Sequence, residues 1–343
     1  KGVENGVMNE PKFLAFIQDS HAPDPNPSDR PGRWVGETDW PTTSVKTQIL
    51  WLGNNSLCDK PSTTGKAALI KSPNSTGLCS GEYMPWSGTA ELPHDQRSDD
   101  SKSVCFDSDI LHKSIELLGT SFLHLKISSD KECGLICVRL CDLSPDGSST
   151  LITYGILNLK LRNGRECIAE VKANDLINVT IRLNDTGWRL KKGHRLRMAL
   201  STQMWPMAWP ISEVAAITVY IDSSRLELPV RTPTDKEKSF TQLELAEAAD
   251  GPPHTTLRDP SESRIITSDI KTGDIRYEIE TDGGEVKFEK SGLIYGSTNE
   301  QHYVINDGNP CSAKAEYRAK FSFSRGEWKA STESELIVTC DEE

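Results

Sequence analysis

The sequence predicts an all-β protein built as a large β-sandwich of jelly-roll type, with long loops and few short helices. Two observations lead to this fold class. Short runs of alternating apolar and polar residues, separated by Gly, Pro, Asn and Asp, recur along all 343 residues. Helical spacing of apolar residues is confined to residues 111–118 and 240–249, and both stretches are short.

The strands of the first two thirds differ in how deeply they should be buried. Residues 177–183 carry apolar side chains at every second position, which predicts a half-buried antiparallel strand. Residues 135–143 and 151–161 are apolar on both faces and are predicted to be central strands. The Ser-Pro-Asp-Gly sequence at 144–147 joins them and favours a turn.

The last third repeats the β pattern. Residues 275–281 and 285–290 are predicted to form a hairpin that turns at Asp282, Gly283 and Gly284. Further strands are predicted at residues 303–306, 315–323 and 336–339.

Three parts of the chain follow from these patterns. Residues 1–20 form a leading segment with the first strand, residues 21–230 the jelly-roll sandwich, and residues 231–343 an acidic β-rich extension. Residues 231–264 are rich in Pro, Thr and charge, so they allow a domain boundary. Because few large apolar residues follow, we expect the extension to pack on the same sandwich.

The charge of the chain excludes several partners. A net charge of −11 and a pI near 5.3 do not supply the positive field that nucleic acids need. No apolar run is long enough to span a bilayer, so no membrane partner is expected. Residues 231–343 hold 14 basic and 23 acidic side chains. We interpret this excess as a solvated face, with a cation site or a basic partner as alternatives.

The nine cysteines are odd in number and lack CxxC spacing, which predicts a reducing, cytoplasmic location. Cys133, Cys137 and Cys141 are four residues apart and would form a metal-binding stripe on a helix. Their surroundings are β-rich, and on a strand such residues are roughly 13 Å apart, too far to share one zinc ion. We therefore predict that they are small core residues, and we predict no metal and no cofactor.

No catalytic motif appears in this chain. The closest approach to Gly-x-Ser-x-Gly is at residues 119–123, where Leu123 replaces the second glycine and Ser121 is predicted to be a turn residue. His124 and His194 are predicted to be structural. Several acidic residues could donate oxygens to calcium, but none lies in the Asp-x-Asp-x-Asp-Gly loop that is typical of a calcium site. They are the pairs Asp99 with Asp100 and Asp107 with Asp109, and also Asp282.

The most unusual local sequence is Met-Trp-Pro-Met-Ala-Trp-Pro at residues 204–210. Its two Trp-Pro pairs make a stiff apolar loop, and three roles are open for Trp205, Pro206, Trp209 and Pro210. The loop closes one end of the sandwich, docks on another domain, or contacts a ligand such as a sugar.

The order of several short motifs resembles one family. They are the residues 1–11 before the first strand, Gly-Arg-Trp at 32–34 with Asp-Trp-Pro at 39–41, residues 92–100 followed by Val-Cys-Phe-Asp at 104–107, residues 140–147, residues 193–201 and the double Trp-Pro. Together they resemble the C-terminal non-catalytic, galactose-binding-like jelly roll of X-Pro dipeptidyl-peptidase and cocaine-esterase-like serine hydrolases. Residues 307–313 and 325–328 resemble a larger subgroup of these hydrolases.

This resemblance implies that the chain follows an α/β-hydrolase catalytic domain, its expected partner, which this sequence does not include. Lys1 and Gly2 look like the end of the helix that closes that domain, and the chain stops before strands expected in the larger subgroup. The family's catalytic triad then lies upstream, so no catalytic residue is carried over. A free-standing carbohydrate-binding module and a fragment without independent function are the rival hypotheses, and a homo-oligomer is left open.

Overall fold

A computed structural model describes residues 6–83, 91–233 and 249–340, together with Gly2, Glu4 and Leu243. Nearly every described element is a β-strand, and the strands form three sheets. The helix predicted at residues 240–249 lies outside the described residues except at positions 243 and 249.

The first sheet contains eleven strands. These are β1 (Phe13–Asp19), β2 (Gly32–Glu37), β3 (Val45–Leu52), β4 (Leu57–Cys58), β5 (Ala67–Ile70), β7 (Ile115–Gly119), β8 (Phe122–Ser129), β11 (Ile177–Arg182), β12 (Thr186–Leu190), β14 (Ile217–Tyr220) and β15 (Arg225–Arg231). Their order is β2-β1-β12-β7-β15-β8-β14-β5, with β11 beside β8, β3 beside β15 and β4 beside β3. In this sheet β1 and β12 pair in parallel, and the other neighbouring strands pair antiparallel.

The second sheet has four strands in the order β10-β9-β13-β6. They are β6 (Val104–Asp107), β9 (Leu135–Leu143), β10 (Ser149–Asn158) and β13 (Arg195–Ser201). The two sheets enclose one large apolar core, to which β8 contributes Leu123, Leu125 and Ile127. This arrangement confirms the predicted all-β sandwich, including the half-buried strand at β11 and the fully buried β9.

The third sheet is made by the last part of the chain. Its strands are β16 (His254–Arg258), β17 (Ser261–Asp269), β18 (Asp274–Phe288), β19 (Ile294–Asn306), β20 (Asn309–Arg325) and β21 (Trp328–Thr339). The strands predicted at residues 303–306, 315–323 and 336–339 are parts of β19, β20 and β21.

The hairpin predicted at Asp282, Gly283 and Gly284 is wrong. These residues form a bulge within the continuous strand β18, which pairs with β19 on both sides of the irregularity. On the opposite edge β18 pairs with β17 before the bulge and with β16 after it. Gly284 has φ +75°, and a Cβ there would lie 2.5 Å from the carbonyl oxygen of Arg258, so glycine serves a close approach rather than a chain reversal.

Helical structure is short throughout the described residues. It consists of the four-residue helix α1 (Arg97–Asp100) and the 3-10 turns Val7–Asn9, Leu159–Leu161 and Ile221–Ser223. The helix predicted at residues 111–118 is wrong, because β7 occupies its second half. Leu117 packs in the main core and Leu118 in a second cluster with Ile17 and Val35. A strand buried on both faces has apolar neighbours whose spacing imitates a helix. No helix within the described ranges has the length and hydrophobicity needed to cross a bilayer.

The predicted role of the cysteine stripe is confirmed for its two strand members. Cys137 and Cys141 are fully buried on β9. Cys133 lies just before β9 and is partly buried. Burial raises the pKa of the Cys137 thiol to about 12, so this group stays neutral and behaves as a small core residue.

Candidate functional site

The Trp-Pro loop lies where the sandwich meets the third sheet. Trp205 is 1% exposed and packs in a cluster with Leu78, Ile275 and Ile305. Its ring makes edge contacts with Trp209 at 5.3 Å and with Tyr303 at 6.2 Å between centroids. Because Trp205 is enclosed in this way, it has no open ring face for stacking on a sugar. We call this contact zone between sandwich loops and third sheet the joint.

A buried carboxylate is at the centre of the joint. Glu91 accepts a hydrogen bond from the hydroxyl of Tyr277 on β18 and contacts Nε2 of His94. Nη1 of Arg264 on β17 lies 3.2 Å from Glu91 Oε2, and the same guanidinium also binds Glu82 and Glu262. The joint therefore combines apolar packing with a charged network that spans the two parts of the chain.

The network shifts the pKa values of its members in opposite directions. Burial alone would raise the pKa of Glu91, but hydrogen bonds from His94 and Tyr277 outweigh it and hold that pKa below its usual value. The hydrogen bond to Glu91 raises the pKa of His94. Burial, followed by the neighbouring Glu91 carboxylate, raises the pKa of Tyr277. Compared with free side chains, these shifts favour the carboxylate form of Glu91, the protonated form of His94 and the neutral phenol of Tyr277.

A second contact at the joint comes from the turn between β19 and β20. The Asp307 carboxylate accepts hydrogen bonds from the backbone N–H of Ser75 at 2.7 Å and from its hydroxyl at 3.1 Å. The side-chain amide of Asn74 donates to the carbonyl oxygen of Asn306 at 3.0 Å. Asp307 belongs to the stretch 307–313 that resembles the larger subgroup of hydrolases. Part of this stretch therefore holds the third sheet against the sandwich.

One cluster of Ser, His and Asp occurs within the sandwich, but its geometry is not that of a nucleophile. Ser20 donates its hydroxyl hydrogen to Asp142, and Nδ1 of His194 lies 2.7 Å from the other oxygen of that carboxylate. Trp188 donates its indole N–H to Asp142 at 3.0 Å. A catalytic triad needs histidine between serine and aspartate, so that the imidazole removes the serine proton. Here aspartate is in the middle, and Ser20 is buried, so the cluster is structural.

The other candidates from the sequence are also accounted for by packing and pairing. Ser121 is buried in the turn between β7 and β8, as expected, and no strand-to-helix elbow forms there. His124 binds Thr180 and Glu227 across neighbouring strands. Ser121 and His124 therefore do not form a pair of nucleophile and general base.

Four of the five acidic candidates bind backbone groups or cations through their carboxylates. Asp99 accepts the N–H groups of Gly77 and Cys79 at 3.0 and 2.9 Å, which fixes the loop that carries Leu78 into the joint. Asp100 lies 3.0 Å from the guanidinium of the buried Arg139. Asp107 binds Arg197 through both oxygens, and Asp282 binds Arg258. Within the described ranges no group of three or more His, Cys, Asp or Glu side chains is arranged to hold a metal ion.

The comparison with protein families matches the larger part of the chain. Residues 5–248 match the family described as the X-Pro dipeptidyl-peptidase C-terminal non-catalytic domain. The chain belongs to this family. The matched span includes the whole sandwich, and the strands of the third sheet begin beyond it at His254. The resemblance inferred from the ordered motifs is therefore confirmed.

Proteins similar to this chain are longer than the stretch that they share with it. Cocaine esterase from Rhodococcus sp. (strain MB1 Bresler) is 24% identical over 188 residues, which cover 50% of this chain and 32% of the relative. An aminopeptidase from a marine sediment archaeon of the Thaumarchaeota shares the fold with a TM-score of 0.52 and 15% identity, over 58% of this chain and 38% of its own. An α-amino acid ester hydrolase shares the fold with a TM-score of 0.52 and 18% identity, over 58% of this chain and 39% of the hydrolase chain. The matched stretch of this chain thus spans well under half the length of each of these proteins.

The sequence indicated the Trp-Pro loop but not the polar partners that surround it. Glu91 and Tyr277 are 186 positions apart, and no local pattern connects them. The weak signal available was an acidic residue next to the Leu-Pro-His-Asp-Gln-Arg motif and a tyrosine on the apolar face of a predicted strand.

Proposed function

We propose that this chain is the C-terminal β-sandwich portion of a serine hydrolase that acts on peptides or esters. It supports an α/β-hydrolase catalytic domain and forms one wall of the substrate cleft, in a cytoplasmic protein. The observation that carries the proposal is the family match over residues 5–248 together with a Ser-Asp-His cluster whose order excludes a charge-relay arrangement.

We also propose that the acidic extension 231–343 packs on the same sandwich and is held there by Trp205, Pro206, Trp209 and Pro210. The enclosure of Trp205 and the Glu91 network support this role. They argue against the free-standing carbohydrate-binding alternative, because a sugar-stacking tryptophan must present a ring face to solvent.

Intact-mass analysis after treatment with a fluorophosphonate tests the non-catalytic assignment, because this reagent labels activated serines. We expect no adduct on this chain, while a serine hydrolase treated in parallel gains one. A stoichiometric adduct on this chain would overturn the assignment. In protein expressed from the complete reading frame, we expect the adduct to map upstream of residue 1.

A further inference from the structure

The two sheets of the sandwich are unequal in size, and this leaves a cavity. The first sheet has eleven strands and the second has four, and β6 is the edge strand of the smaller sheet. Beyond β6 the inner faces of β3, β7 and β15 are opposed by the loop of residues 108–114. A cavity of about 540 Å³ lies between this loop and the first sheet. Its volume is within the range of small-molecule sites.

Leucine is the most frequent residue in the walls of the cavity. Six of the leucines are buried, and each comes from a different strand; they are Leu50, Leu57, Leu117, Leu190, Leu196 and Leu228. The surface formed by these buried leucines favours an apolar occupant, because water against it would lose hydrogen bonds.

One neutral polar group projects from the floor of the first sheet. Gln48 is partly buried on the inward side of β3, and its carboxamide makes no side-chain hydrogen bond within the described residues. The rim carries Asp59 and Asp109 as well as His112 and Lys113, so its ionisable groups are of both signs and do not select an ion. The hydroxyls of Ser56 and Ser108 also line the cavity, but they are already bonded to Cys58 and to the backbone of Asp109 and Leu196. The cavity is therefore suited to an uncharged molecule with one hydrogen-bonding group.

The loop that covers the cavity is anchored on both sides of its apolar tip. The N–H of Ser108 donates to the carbonyl of Leu196 at 2.8 Å, and that of Leu111 donates to His194 at 2.9 Å. Ile110 lies between these anchors and is 49% exposed. Backbone pinning of the loop keeps the space open in the unliganded chain, which lowers the entropic cost of binding.

We propose that this cavity binds an uncharged apolar small molecule, such as an alkyl alcohol, whose single polar group reaches Gln48. This site is separate from the joint and does not depend on the chain's place in a hydrolase. A negative fluorophosphonate result leaves it unaffected.

Fluorescence titration with N-phenylnaphthylamine, an uncharged apolar probe, tests the proposal directly. We expect saturable binding of one probe per chain and its displacement by n-octanol. Gln48→Phe fills the cavity and is expected to weaken binding by about tenfold or more, a free-energy change of about 1.4 kcal/mol. Ile49→Phe is the matched control, because residue 49 is on the same strand, points to the opposite face and is 41% exposed. It should leave binding unchanged.

Thiol protection gives a second readout that needs no variant. Cys58 lines the cavity and Cys167 is exposed elsewhere. Saturating n-octanol should slow alkylation of Cys58 by iodoacetamide and leave Cys167 unchanged, as followed by peptide mass analysis. If Gln48→Phe does not fold, protection of Cys58 in the unmodified chain tests whether the cavity binds n-octanol. Absence of saturable probe binding, equal binding by folded Gln48→Phe, or unprotected Cys58 would each overturn the proposal.

Discussion

Tyr277 on β18 donates its hydroxyl hydrogen to the buried carboxylate of Glu91, which belongs to a loop of the sandwich. The bond joins the third sheet to the family domain at a site where both side chains are at most 5% exposed. A hydrogen bond to a charged group in such surroundings is among the stronger polar contacts of a protein.

Removal of this hydroxyl is expected to destabilise the chain. Tyr277→Phe leaves Glu91 buried with one donor fewer, which costs about 1.5–3 kcal/mol of unfolding free energy. Tyr303→Phe is the control, because the Tyr303 hydroxyl bonds Gln301 on the same strand rather than crossing the joint. Urea unfolding measures both, and equal losses would contradict a special role for the Tyr277 bond.

The joint should respond to pH through His94. Its pKa is raised above the ordinary 6.5 by the hydrogen bond to Glu91, so the stabilisation is complete below 6.5 and is lost as pH rises through the folded pKa. The difference in unfolding free energy between the wild type and His94→Gln should therefore be larger at about pH 5.5 than at about pH 8.5. Urea unfolding at both pH values checks this, and a difference that does not change with pH would contradict it.

Glu91 sets the lower limit of the same window. Its folded pKa is below the ordinary 4.5, so its contribution is present above 4.5 and is lost as pH falls through the lowered pKa. Acid should therefore weaken the joint by neutralising Glu91, and alkali should weaken it by neutralising His94.

A buried arginine lies between two glutamates on the outer face of the first sheet, and it allows a separate prediction. Arg231 is fully buried and lies 2.7 Å from Glu37 and 3.0 Å from Glu116. Arg231→Met leaves two carboxylates without this cation and should cost about 3–5 kcal/mol. Arg182→Met removes an exposed pair with Asp185 and should change stability by at most about 1 kcal/mol. Comparable losses for the two variants in urea unfolding would be evidence against the buried network.

The sequence predicted the strands best where burial follows a simple alternation. β11 has one buried face and one exposed face, and its alternating residues identified both. The apolar spacing of β7 predicts a helix because this strand is buried on both faces and its apolar residues do not alternate. The joint could not be predicted, because Glu91 and Tyr277 become neighbours only after three sheets have formed.

The bulge at residues 282–284 illustrates why local turn residues are ambiguous. Asp-Gly-Gly suits a hairpin and a bulge equally well, and the choice depends on β16 and β17 across the edge of β18. Gly284→Ala should destabilise the third sheet by about 1 kcal/mol or more, because φ is positive and the new Cβ meets the backbone of Arg258 and Pro260. Gly292→Ala has φ +66° but open space around it. Thermal unfolding should show a smaller loss for Gly292→Ala, and the reverse order would contradict the bulge geometry.

Trp205 gives the most direct test of how the third sheet is held. Trp205→Ala removes the largest side chain of the joint and should cost about 3–5 kcal/mol. Because this cluster contains residues of β18 and β19, amide hydrogen exchange of Ile275, Tyr277 and Ile279 should accelerate while that of β9 stays slow. Trp328→Ala, at a position that is 54% exposed on β21, should leave both sets of amides unchanged. If β9 loses protection together with β18, the sandwich and the third sheet unfold as one unit, and the joint is not the weaker connection between them.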